Sequence, residues 1–180
     1  MKYVNVRPLA DVYGFHLDPR EYLRVLPGLL PDLPTGAAEF ASDPDHYDFG
    51  SSRCVKDLTL HRVNLFDDHG RVSLELSLDP NEWKHEGGLY VRYSGVRSFR
   101  VNVDSADSAE PPEAVGFAEV AGASPFTERA DGPPRLGDLQ LDELLPHPQG
   151  VSHEITFTEG SLLVVSADLV ARWHRPGLSP

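Results

Sequence analysis

Cysteine is almost missing from this chain of 180 residues: Cys54 stands alone, which excludes an intrachain disulfide and fits a reducing compartment. Long apolar runs are missing too. The longest, Leu162 to Val165, falls far short of the roughly 20 residues that cross a bilayer. The opening MKYVNVRPLADVYG has neither a continuous apolar stretch nor a small-residue cleavage pattern, so no signal peptide is expected. Together these absences predict a soluble, cytoplasmic protein with no membrane association.

Basic residues are scarce. Sixteen stand against 28 acids, only Lys2, Lys56 and Lys84 are lysines, and the formal charge is -12. Such a surface repels nucleic acid, whose recognition begins with a basic footprint, and it favours a basic protein partner.

The signatures of catalysis are also lacking. Eight histidines include no His-x-x-x-His or His-x-His pair, and no Gly-x-Ser-x-Gly elbow occurs. Gly87-Gly88 precedes a strand-like segment and no helix, which is the wrong setting for a phosphate cradle. No cofactor is expected, and an enzyme is the less favoured reading.

What the chain does have is alternation. Val72, Leu74, Leu76 and Leu78 are separated by Ser73, Glu75 and Ser77, the period-two text of a strand with one dry face. Leu58 and Leu60 alternate in one parity, Val63 and Leu65 in the other, which predicts a bulge near His61-Arg62. Asp67-Asp68-His69-Gly70 reads as the turn between these strands. Leu89, Val91 and Tyr93 continue the pattern, as do Phe99, Val101 and Val103; whether Gly95 between them marks a hairpin or a kink is open. Near the end, Val151–Thr158, Ser161–Ser166 and Leu169–His174 read as strands, while 138–145 suits either a strand or a short helix.

Helical signals are few. Asp18-Pro19-Arg20-Glu21 places a capping acid, a proline at the first helical position and a glutamate three residues after the cap. Tyr22, Leu23 and Val25 supply an apolar side, and Pro27-Gly28 is expected to end the helix after about two turns. A further short helical turn fits near Ala37 to Phe40. The stretch 104–113, DSADSAEPPE, has no aromatic residue and reads as a flexible acidic loop; within the following 115–126 an edge strand is expected, ending before Ser124-Pro125. The economical solution is a mainly β, two-layer antiparallel sandwich-like domain spanning 1–180, with one short N-terminal helix.

Two groups of residues stand out as candidate sites. Asp43, Asp45, His46 and Asp48 place three carboxylates and an imidazole within six residues, a possible cation loop, although it lacks the glycine and terminal glutamate of a calcium loop. Tyr47, Trp83, His85 and Tyr90 are loop or polar-face residues of the kind that anchor protein interfaces. His153 shares parity with Val151, Ile155 and Phe157 and belongs on the apolar face, so neighbouring Glu154 points away from it. If the last three strands form a meander, His153 and His174 stand roughly 17 Å apart and make no dyad.

In its size, acidity and hairpin-rich body after Lys56, the chain resembles the immunity proteins of bacterial polymorphic-toxin systems. That resemblance implies a non-catalytic domain that binds a protein partner through an acidic face. Alternatives are a small-ligand or metal-dependent enzyme using a cavity between the sheets, with His46 at its mouth, and a structural subunit of an assembly.

Overall fold

The computed structural model describes residues 1–10, 14–103 and 136–174. The acidic stretch 104–113 and the edge strand expected at 115–126 lie outside the described residues.

Two four-stranded antiparallel sheets carry the fold. Strands β3 (Thr59–Asp68), β4 (Arg71–Asp79), β5 (Gly88–Ser94) and β10 (Asp168–His174) form one sheet, ordered β10-β5-β4-β3. Strands β6 (Ser98–Val103), β7 (Leu139–His147), β8 (Gly150–Phe157) and β9 (Gly160–Ser166) form the other, ordered β6-β9-β8-β7. Leu74, Leu76, Leu78, Leu89, Val91 and Tyr93 of the first sheet and Val151, Ile155, Phe157, Leu162 and Val164 of the second are buried in one core. Every second residue is apolar because every second side chain faces that core.

Several local expectations are met. The ladder between β3 and β4 shifts register between Leu60 and Arg62, where the alternation changes phase. Their turn places both His69 and Gly70 at positive φ, 52° and 80°, a geometry that matches the twist of a tight hairpin. The stretch after Asp138 is a strand and not a helix, with its own bulge between Leu139 and Leu141.

Connections between sheets are where sequence reading went astray. Gly95 makes neither a hairpin nor a kink: β5 belongs to one sheet and β6 to the other. Ala167 does the same between β9 and β10, so the last three strands are no meander. The two crossings touch. Ala167 donates its N–H to Ser94 and Gly95 carbonyls at 2.9 and 3.2 Å, and a Cβ on Gly95, whose φ is 61°, would lie 3.0 Å from that of Ala167. Alternation is blind to such switches, because a strand reads alike in either sheet.

The N-terminal part wraps one side of this sandwich. A small ribbon, β1 (Asn5–Pro8) and β2 (Phe15–Asp18), leads into α1 (Arg20–Leu29), a single 3-10 turn at Leu30–Asp32, and α2 (Thr35–Ala41). The Asp18 carboxylate accepts the Arg20 N–H at 3.1 Å, but Pro19, expected as the first helical residue, is the N-cap and makes no side-chain cap bond. The helix does not stop at Pro27; it runs through to Leu29 with Tyr22 and Leu26 as its buried pair. Pro27 sits on the exposed side, and Leu23, expected on the apolar face, is exposed as well.

Candidate functional site

The densest gathering of titratable side chains lies inside the sandwich. Strand β7 carries Asp142 opposite Ile155, and Leu144 opposite His153, so Asp142 and His153 share the core face of their hairpin. The loop after α2 delivers His46 to the same place. Asp142 Oδ1 meets His46 Nε2 at 2.7 Å and Oδ2 meets His153 Nε2 at 2.8 Å. The chain extends at both ends: His46 Nδ1 reaches the Phe40 carbonyl at 3.1 Å, and His153 Nδ1 reaches the Tyr93 hydroxyl at 2.7 Å. His46, Asp142, His153 and Tyr93 are each no more than 2% exposed.

Hydrogen-bond logic assigns the protons. Burial alone would push the Asp142 carboxyl up, but the charge of His46 and the hydrogen bonds from His153 and His46 outweigh it and hold the group well below the usual carboxylate range. An ionised Asp142 only accepts, so His46 donates to it through Nε2. His153 donates through Nε2, and the buried Tyr93 phenol donates to its Nδ1. Burial first, then the charge of Asp142, pushes that phenol well above its ordinary value, which keeps its proton in place. The core thus encloses a carboxylate bridged by two imidazoles and extended by the Tyr93 phenol.

Every part of this chain is occupied. No buried side-chain nitrogen or oxygen among the described residues lacks a hydrogen-bond partner. A metal ion would need about 2.0–2.2 Å to nitrogen and oxygen ligands; here the same atoms already face one another at 2.7 and 2.8 Å.

The surrounding shell seals the region further. Edge strand β7 turns the carbonyls of Asp142 and Leu144 outward, and the hydroxyls of Tyr47 and Tyr22 donate to them, each at 2.8 Å. On the outer face of the same strand, the Glu143 carboxylate accepts the N–H groups of Lys2, Tyr3 and Val4 at 2.6, 2.6 and 2.7 Å.

The residues expected to form a cation loop are dispersed by this arrangement. His46 turns into the core. Asp43 Oδ1 accepts the Asp45 N–H at 3.0 Å while Oδ2 pairs with Arg53 at 3.2 Å, and Asp48 caps the Gly50 N–H at 2.9 Å. The carboxylates serve their own turns, and among the described residues no group of three metal-ligating side chains gathers. His46, expected at the mouth of a cavity, has its ring inside the packed core.

The four expected anchors do not share a surface. Tyr47 is core, its ring 5.6 Å edge-on from that of Tyr22. His85 is buried as well: Nδ1 accepts the Asn81 N–H at 3.0 Å, Nε2 donates to the Cys54 carbonyl at 2.9 Å, and the ring stacks on Trp173. Burial lowers its affinity for a second proton. Trp83 is 97% exposed. Tyr90 is half-buried on the outer sheet face near Glu75, Arg92 and Arg172, and burial together with Glu75 pushes its phenol up to about 12.

Sequence reasoning placed His153 on the apolar face but missed its partners Asp142 and Tyr93. A signal was present, because a histidine among core residues demands a buried partner. Asp142, which shares its side of the strand with Leu144, was an acid that a paired strand could supply.

Strand β10, last in its sheet among the described residues, lies beside a groove of about 650 Å³. One wall is α2 and its C-terminal extension, with Gly36, Glu39, Phe40 and Asp43; the other is Val170–Trp173, and Arg53 closes the lining. Compared with known proteins, the chain matches no family model, no curated protein and no solved structure.

Proposed function

We propose that this chain is a non-catalytic protein-binding domain of the inhibitor or immunity type, engaging a basic protein. The observation that carries the reading is that the densest acid–base cluster is spent within the fold: His46, Asp142, His153 and Tyr93 bond to one another out of reach of solvent. A catalytic acid or base must touch a substrate, and these groups bond to one another and to the Phe40 carbonyl. The charge of -12 supports association with a cationic surface. The acidic, hairpin-rich texture shared with immunity proteins points the same way.

The experiment is affinity capture from native cytoplasm at low and moderate salt, followed by titration of the purified domain with each purified captured protein. A saturable complex whose affinity weakens with salt is the expected result. If no captured protein forms a stoichiometric complex in isolation, the reading is overturned.

A further inference from the structure

Loop 80–87, which joins β4 to β5, holds one large side chain wholly in solvent. Trp83 is 97% exposed, and the next most exposed large apolar residue described, Leu65, reaches 63%. Tryptophan is highly buried on average, so an indole held in water is unusual. The backbone beneath it is pinned. The Asn81 carbonyl accepts the Lys84 and His85 N–H groups at 3.0 and 2.8 Å, and Asn81 Oδ1 accepts the Trp83 N–H at 3.0 Å. Both residues that follow are anchored inward. Lys84 Nζ donates to the Lys56 carbonyl at 3.1 Å and to Asp57 at 3.3 Å. The His85 ring bonds to the Cys54 carbonyl and stacks on Trp173. The turn is fixed at its base, with Trp83 at its tip.

Charge around this tip is of one sign. Glu82, directly before Trp83, and Glu86, three residues after it, are both exposed. Among the described residues neither has an ion-pair partner. The lysine of the loop is the residue turned inward: Lys84 is only 17% exposed, with its ammonium against Asp57. An indole thus stands in solvent between two free carboxylates, while the neighbouring cation is withdrawn.

We propose that Trp83 is the anchor by which this chain docks on its protein partner, entering an apolar pocket whose rim carries lysine or arginine to meet Glu82 and Glu86. This rests on the protein-binding reading and specifies its surface. Tryptophan is among the side chains most enriched at the energetic centre of protein interfaces, where surrounding polar contacts exclude water from it. A turn pinned before the partner arrives loses little further freedom on binding. The two carboxylates set the sign of the rim and steer the encounter over a screening length of about 8 Å at physiological salt. They also repel nucleic acid and anionic membranes from the same tip.

The test titrates the full chain and its variants with each purified captured protein by calorimetry. Trp83→Ala should weaken binding at least tenfold and Trp83→Phe less, with the urea midpoint of the fold unchanged in both. The double variant Glu82→Lys with Glu86→Lys should also weaken binding at least tenfold, mainly through slower association, and reduce its salt dependence. The free chain supplies a second measurement, using caesium and iodide as quenchers at low ionic strength. Relative to free N-acetyltryptophanamide, caesium should quench the Trp83 emission (parent minus Trp83→Ala) more and iodide less, and the double variant should reverse this order. Indifference to the sign of the quencher overturns the acidic surround. Full affinity in Trp83→Ala and in the double variant means that the surface is wrong while the binding function stands. Loss in Trp83→Ala alone overturns the basic rim. A dimer of the free chain that Trp83→Ala abolishes makes a second copy the occupant and overturns the proposal. If no captured protein forms a stoichiometric complex, the surface falls together with the reading it rests on.

Discussion

Tyr93 on β5 and His153 on β8 belong to opposite sheets, and a 2.7 Å hydrogen bond from the phenol to Nδ1 ties those sheets through the core. Tyr93→Phe keeps the ring and leaves Nδ1 buried without its donor, at a cost of about 1–3 kcal/mol. His153→Phe should cost at least as much, since it also deprives Asp142 of a donor. In urea unfolding, the double variant should fall short of the summed losses by about 0.5–3 kcal/mol, the range for residues in one network. Strict additivity would mean that the two side chains stabilise the fold independently.

Asp142 holds the balance of charge in that chain. Asp142→Asn leaves the His46 and His153 rings facing an amide in place of the carboxylate that bridges them. The expected loss is about 3–5 kcal/mol, as for other buried pairs broken on one side. Added zinc or calcium should leave the thermal midpoint of the parent unchanged, because the bonds of His46 go to protein groups. A midpoint raised by either ion and restored by chelation would contradict this arrangement.

Stability should fall with acid in two windows. The folded His85 ring resists protonation because it is buried, so the unfolded chain takes up that proton first, and stability present above the ordinary value of about 6.5 declines as pH falls below it. Asp142 is likewise depressed in the folded state, so its contribution is complete above the unfolded carboxylate value of about 3.9 and is lost at lower pH. The phenols of Tyr22, Tyr47 and Tyr93 are raised by burial, so their contribution is full below about pH 10 and disappears above it. Thermal midpoints measured across pH should show a plateau between these limbs, and His85→Leu should remove the upper acid limb alone.

Gly36 is required by space. Its absent Cβ would sit 1.9 Å from the Leu169 carbonyl oxygen, which is backbone and cannot rotate away. Gly36→Ala should displace α2 from β10 and destabilise the fold by about 1–3 kcal/mol, the usual scale for overpacking. The favourable helix propensity of alanine works in the opposite direction and is smaller, about 1 kcal/mol. A neutral or stabilising Gly36→Ala would mean that α2 does not lie against the strand.

Trp83 contributes little to stability. At 97% exposure it has almost no packing to lose, and Trp83→Ala should change the unfolding free energy by less than about 0.5 kcal/mol. Fluorescence separates the two indoles: Trp173 packs against the core and stacks on His85. Emission remaining after Trp83→Ala should be blue-shifted from that of the parent and less open to iodide quenching.

Much of the architecture was legible along the chain because its causes are local. Alternation placed Leu74, Leu76, Leu78, Leu89, Val91, Tyr93 and the residues of β8 on one dry face, the phase change at His61-Arg62 announced a bulge, and Asp18 announced a helix start. Each rests on a period or a cap spanning a few residues. The interior chain was not legible in this way. His46 and Asp142 are 96 positions apart, and Tyr93 and His153 are 60 apart. Period two says which side of a strand a residue faces and nothing about which strand lies across from it.

By itself, then, the sequence determined the strand segments, their dry faces and the acidity of the molecule, because these follow from backbone geometry and composition. Only the tertiary structure decided that β9 and β10 part to opposite sheets, that His46 turns inward to Asp142, and that β10 lies beside α2. Those outcomes depend on long-range pairing, where burial of the whole apolar face selects one arrangement and polar groups must find partners inside it.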